Sequence, residues 1–132
     1  MTSTGPGKAA VSLDYDGDGR LDVLIANTNG VPTLWRNTTE NDSHWLAVRL
    51  ADPTSPNTAG IGATVEVTTS SGSPLTRRIT ADGSFQSGTG AVAHFGLGPD
   101  PDEVEVEVRW PDGATTAISD VSVDQHLVVT RP

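Results

Sequence analysis

Apolar and polar residues alternate with period two along most of this chain. The clearest stretch is Val104 to Trp110, where Val104, Val106, Val108 and Trp110 share one face and Glu105, Glu107 and Arg109 the other. His44 to Leu50 repeats the pattern with Leu46, Val48 and Leu50. Ala63 to Thr69 sets Ala63, Val65 and Val67 against Thr64, Glu66 and Thr68. Side chains point to alternate faces of a pleated strand, so each stretch reads as a strand with one buried side. Leu75 to Thr80, Val92 to Leu97, Ala114 to Ile118 and Gln125 to Thr130 add four shorter strands. Turn residues separate them, among them Ser71-Gly72-Ser73-Pro74 and Pro111-Asp112-Gly113. No stretch carries a helical period. The pattern predicts an all-β fold, with an antiparallel β-sandwich or partly open barrel over residues 44–132.

Residues 1–43 predict a smaller hairpin unit. Lys8 to Leu13 and Leu21 to Ala26 read as strands, and Asn27-Thr28-Asn29-Gly30 holds an Asn-Gly hairpin signal. Val31 to Asn37 returns, with Pro32 placing its start at a sheet edge. Two or three strands are not stable alone in water, so this unit is expected to pack on a further β-structure.

Between its first two strands lies Asp14-Tyr15-Asp16-Gly17-Asp18-Gly19-Arg20-Leu21-Asp22. Carboxylates about 4 Å apart repel by roughly 4 kcal/mol at an effective dielectric near 20. A tight loop that crowds them is costly without a cation. Calcium takes six to eight oxygens at about 2.3–2.6 Å in flexible geometry, which a short Asp loop can supply. The expected ligands are the side chains of Asp14, Asp16, Asp18 and Asp22 and the carbonyl of Arg20, with water completing the shell. Gly19 permits a positive φ where the loop doubles back. Magnesium fits less well, because it prefers octahedral geometry and keeps its waters. The loop is not an EF-hand, which needs an acid at position twelve, where this chain has Ile25. The alternative is a polar turn rich in Asp and Gly.

Composition narrows the function. One domain of 132 residues buries roughly two thirds of its unfolded surface. A net charge of −9 argues against nucleic acid and anionic membranes as partners. The absence of cysteine removes disulfides, thiol chemistry and zinc-thiolate sites. No apolar run approaches the ~20 residues of a membrane span. The first residues lack a basic segment followed by an apolar signal core. The expectation is therefore a cytoplasmic chain or, preferably, a piece of a longer secreted or extracellular precursor.

No catalytic residues are assigned. His44, His94 and His126 are dispersed, with no nucleophile beside them in sequence. Trp110 alternates with valines and reads as core. Trp35 and Trp45 are candidates for stacking on a ligand such as a sugar, with packing as the plainer reading. Asn37-Thr38-Thr39 and Asn41-Asp42-Ser43 fit the glycosylation sequon but read as a solvated connector.

Two resemblances follow from these motifs. D-x-D-x-D-G-x-x-D opening onto an apolar strand resembles the calcium loop of FG-GAP and VCBS repeats, as in integrin-type β-propellers. Four further motifs occur in order: Asn57-Thr58-Ala59-Gly60-Ile61-Gly62-Ala63, Asp82-Gly83-Ser84-Phe85-Gln86-Ser87, His94-Phe95-Gly96-Leu97-Gly98 and Val108-Arg109-Trp110-Pro111-Asp112-Gly113. Together they resemble the ASPIC/UnbV domain of the cartilage acidic protein-like family, which follows FG-GAP/VCBS repeats and also occurs in many bacterial proteins. The Gly-Ser-Phe-Gln stretch is shorter than the family's usual form, and only a single repeat is present. The resemblance implies a non-catalytic, calcium-stabilised β-module for protein or ligand binding, secreted or at the cell surface. Part of the family is associated with enediyne gene clusters. That implies, as an alternative, an accessory or catalytic role in natural-product biosynthesis on a polyketide-type molecule. A carbohydrate-binding module using Trp35 or Trp45 is the third reading.

Overall fold

The computed structural model describes residues 6–70, 73–81, 83, 86–99 and 101–132. Ser71 and Gly72 of the expected turn lie outside the described residues, as do Asp82, Ser84 and Phe85 of the second family motif. Among the described residues there are ten strands and no helix. They fall into two compact units, Met1–Glu40 with Ala81–Gly90, and Asn41–Thr80 with Ala91–Pro132.

The first unit holds β1 (Gly7–Leu13), β2 (Asp22–Asn27) and β3 (Thr33–Trp35) in one antiparallel sheet of order β1-β2-β3. Leu13 pairs with Asp22, so the Asp loop is the connection that closes β1 onto β2. The β2–β3 turn forms where the Asn-Gly signal predicts it. Asn29 takes φ 54°, a left-handed conformation that asparagine tolerates, and Asn27 Nδ2 donates to Val31 O at 2.8 Å. Both faces of this sheet are apolar and exposed: Val23 pairs with Trp35, and on the opposite face Leu24 pairs with Leu34.

The second unit is a sandwich of two sheets. One has the order β10-β4-β7, built from β4 (His44–Ala51), β7 (Val92–Gly98) and β10 (Gln125–Thr130). The other has the order β6-β5-β8-β9, built from β5 (Thr64–Thr69), β6 (Leu75–Arg78), β8 (Glu103–Arg109) and β9 (Thr115–Ser122). Neither closes into a barrel. The inward positions read from the alternation form the core: Leu46, Val48 and Leu50 of β4 and Phe95 of β7 meet Val65, Val67, Val104, Val106 and Val108. Trp110 is buried among them, and its Nε1 donates to Thr116 Oγ1 at 2.9 Å.

Two features depart from the sequence pattern. All pairs are antiparallel except β10 with β4, which is parallel, with Gln125 opposite Leu46 and Thr130 opposite Ala51. The residues between β9 and β10 form a corner and not a hairpin. Asp124 there takes φ 57° and donates its N–H to Trp45 O at 2.7 Å, which carries the chain from one sheet to the other. In addition, β9 continues past Ile118 to Ser122. The register between β8 and β9 shifts there, and Asp120 takes φ 55°. This bulge resets the alternation, so that Ile118 and Val121, three apart, both pack inward.

The residues that follow the parallel strands β4 and β10 are tied together at Asp52, a carboxylate that is 3% exposed. Its Oδ1 accepts from the N–H and the hydroxyl of Thr54 at 2.9 and 2.6 Å, and its Oδ2 accepts from Arg131 Nη1 at 3.0 Å. Arg131 also pairs with Asp112 and lies 5.7 Å from the Trp110 ring centre. The Thr54 hydroxyl foremost, with Arg131, lowers the pKa of Asp52 from 3.8 to about 2. Arg131 foremost lowers that of Asp112. A carboxylate whose pKa is depressed by folding stabilises the fold above its unfolded value and loses that contribution as pH falls towards its folded value. Melting temperature is therefore expected to drop as pH falls from 3.8 towards about 2. Asp52→Asn should flatten that limb of the profile, and an unchanged limb would show that this tie does not control acid unfolding.

Candidate metal centre

The Asp loop is shaped mainly by its own first carboxylate. Asp14 Oδ1 accepts from Gly17 N at 2.8 Å and Asp18 N at 3.1 Å, and Oδ2 accepts from Gly19 N at 2.9 Å. Such side-chain bonds to nearby backbone are the usual means by which Asp builds a turn. The turn requires Gly17 at φ +77° and Gly19 at φ +84°, where a Cβ would be strained. Asp18 Oδ1 accepts from Arg20 N at 2.9 Å, and this bond is the main cause of a lowered Asp18 pKa.

Asp14, Asp16 and Asp18 are brought together: each offers a carboxylate oxygen, and these oxygens lie within 4.8 Å of one another. Two guanidiniums answer the charge. Arg36 Nη2 reaches Asp16 Oδ2 at 2.8 Å and Asp18 Oδ2 at 3.3 Å, and Arg20 Nη2 pairs with the same Asp18 oxygen. The negative field, chiefly of Asp16, raises the pKa of Arg36.

Asp22 stands apart from this trio. It is 1% exposed, and both oxygens serve backbone donors: Oδ2 accepts from Tyr15 N at 3.2 Å and Oδ1 from Asn37 N at 2.7 Å. It clasps the start of the loop to the chain leaving β3. Arg20 supports the same clasp, donating Nε to Asn37 O at 3.1 Å. Sequence reading missed Arg36 and Asn37. The available signal was register: Val23 pairs with Trp35, which places the residues after β3 beside the Asp that opens β2.

The two stacking candidates have different surroundings. Trp35 is 53% exposed on the first unit. Trp45, half-buried on β4, has the His94 ring stacked with it at 6.1 Å and the His126 ring edge-on at 5.0 Å. Asp124 accepts from Trp45 N at 3.1 Å and pairs with His44 Nδ1 at 2.7 Å. The histidines dispersed in sequence thus gather on one sheet. A groove of about 240 Å³ runs along the other sheet. Its lining sets the acids Glu103, Glu105 and Asp120 and the hydroxyls of Thr68 and Thr69 beside Val104.

Comparison with known proteins decides the family. The ASPIC and UnbV model matches residues 53–132. The chain belongs to the ASPIC and UnbV family. The ASPIC and UnbV match spans β5 to β10 but begins after β4, the central strand of one of the two sheets. The folded unit therefore extends beyond the matched segment on its N-terminal side. The chain is also similar to cartilage acidic protein 1 of Mus musculus and of Homo sapiens, each 30% identical over 128 residues, covering 95% of this chain and 19% of the relative. Cartilage acidic protein 1 of Xenopus tropicalis is 27% identical over 133 residues, covering 97% of this chain and 20% of the relative. These alignments take in the Asp loop as well as the ASPIC and UnbV segment. The chain spans about a fifth of the length of the curated relatives it matches.

Proposed function

We propose that this chain is a non-catalytic, calcium-stabilised β-module of a secreted or extracellular protein, built to bind a protein or small ligand. The observation that carries this reading is the convergence of Asp14, Asp16 and Asp18 oxygens within one short loop. The donor set fits the ion: it is all oxygen and mostly anionic, and the loop bends through glycine. Guanidinium groups already stand against the carboxylates, which marks them as a place for positive charge. Asp14, Asp16 and Asp18, with the Arg20 carbonyl that the FG-GAP/VCBS resemblance implies, would hold calcium, and Asp22 would brace the loop through its bonds to Tyr15 N and Asn37 N. A bound ion supplies the charge that lets these acids crowd together.

The extracellular setting is supported by relatives named for cartilage and by the net charge of −9. Calcium there is plentiful enough for the 10⁻⁴–10⁻³ M affinities typical of extracellular modules. Among the described residues no helix is long and apolar enough to cross a membrane.

A ligand that binds only the folded state stabilises it by about 2.7 kcal/mol at 100 times its dissociation constant. Melting of the first unit is therefore expected to rise by several degrees in about 10 mM calcium compared with chelator. Asp16→Ala should abolish this response and leave the sandwich folded. Identical melting curves with and without calcium would refute the reading.

A second reading, carbohydrate binding, rests on the exposed indole of Trp35. It predicts glycan binding that Trp35→Ala removes, measured by titration calorimetry. The biosynthetic reading has no comparable observation behind it.

A further inference from the structure

We infer that Arg36 is a tethered cation that stands at the loop's carboxylates when no metal is bound, yields to calcium when it arrives, and so sets the loop's metal affinity. The inference rests on the calcium reading above.

The geometry supports it in three steps. First, one nitrogen, Arg36 Nη2, lies between Asp16 Oδ2 and Asp18 Oδ2 at 2.8 and 3.3 Å. These are two of the three side chains whose oxygens converge. A singly charged group at hydrogen-bond distance bridges two of the acids, offsets the charge of one, and does not draw in all three. A divalent ion bonded at about 2.3–2.6 Å can. Second, the two cations compete for the same oxygens, so calcium must displace Arg36 or bind against its repulsion. Third, Arg36 is free to leave. Its side chain is 51% exposed and it follows directly on β3, so its stem can swing into water while the strand stays paired. Arg20 is held more firmly, because its Nε is engaged with Asn37 O and its N–H with Asp18. Arg36 is therefore the displaceable partner and Arg20 the resident one.

The test uses the full chain, titrated with calcium chloride by calorimetry, and melted in chelator. Arg36→Ala is expected to bind calcium on the order of tenfold more tightly than wild type, since a like charge a few ångströms from the ion is gone. In chelator the same variant is expected to melt lower than wild type, because Asp16 and Asp18 lose a counter-charge. Arg36→Lys, which keeps the charge, should restore both values towards wild type. If Arg36→Ala does not fold in chelator, its recovery on adding calcium supports the inference, and Arg36→Gln, with a similar stem, supplies the affinity. Calcium binding by wild type and variant with equal affinity, or weaker binding by the variant, overturns the inference and leaves the calcium reading intact. Absence of binding by both removes the calcium reading and this inference together.

Discussion

Phe95→Ala is expected to destabilise the sandwich by about 3–5 kcal/mol, the usual range for removing a buried aromatic ring. Phe95 is fully buried near the middle of β7, opposite Leu46 of β4, in the core that both sheets share. The side chains that would have to fill the space belong largely to hydrogen-bonded strands and include the stiff β-branched Val65, Val67 and Val106. Strands tied into ladders cannot close a ring-sized hole, so a large cavity term remains. Arg77 adds to the cost: its guanidinium lies 5.7 Å from the ring centre and loses that contact. Domains are typically stable by about 5–15 kcal/mol, so this loss leaves the unit marginal. The measurement is urea unfolding followed by circular dichroism, with Phe95→Leu expected to fall between variant and wild type. A midpoint within error of wild type would mean that the ring is not packed as described.

The second large effect is expected at Asp22. Asp22→Ala leaves Tyr15 N and Asn37 N without their acceptors beside a side-chain position that is 1% exposed. Hydrogen bonds to a charged group contribute about 1.5–3 kcal/mol each, so the two together predict a loss of roughly 3–6 kcal/mol within the first unit. Asp22→Asn should lose about half as much, because its amide keeps one acceptor and turns a donor towards the other N–H. Done in chelator, this experiment separates the clasp from any role in metal binding. Hydrogen exchange at Tyr15 and Asn37 reads it directly. Protection unchanged at both amides would rule the clasp out.

The sequence made some of this legible and concealed the rest for identifiable reasons. Strands β4, β5 and β8 were readable because each has one buried and one more exposed face, and burial imprints alternation. The bulge at Asp120 hid the end of β9 because one extra residue shifts the pattern out of phase. Alternation also names the buried face of a strand but not its neighbour, so the parallel pairing of β10 with β4 left no trace in the pattern. The gathering of His94 and His126 about Trp45 depends on that same pairing and was equally invisible. In the loop, Asp14, Asp16 and Asp18 were legible from spacing alone, because a short turn has few ways to separate them. Arg36 was not, since it reaches them only through the register of β2 with β3. Asp22 read as one more acid in a row, and only the hydrogen bonds reveal that its oxygens face backbone amides.

The pairing of β10 with β4 also bears on how the chain folds. Trp45 and Asp124, which meet at the start of this ladder, are 79 residues apart in sequence. Contacts between such distant segments form only after the entropy of closing a long loop has been overcome, which places folds rich in them among the slow folders, at milliseconds to seconds. During synthesis β4 emerges early and must wait beside β7 with one edge open until Gln125–Thr130 leaves the ribosome. In that interval a nascent chain offers its half-built sheet to any passing strand, until β10 arrives to seal that edge.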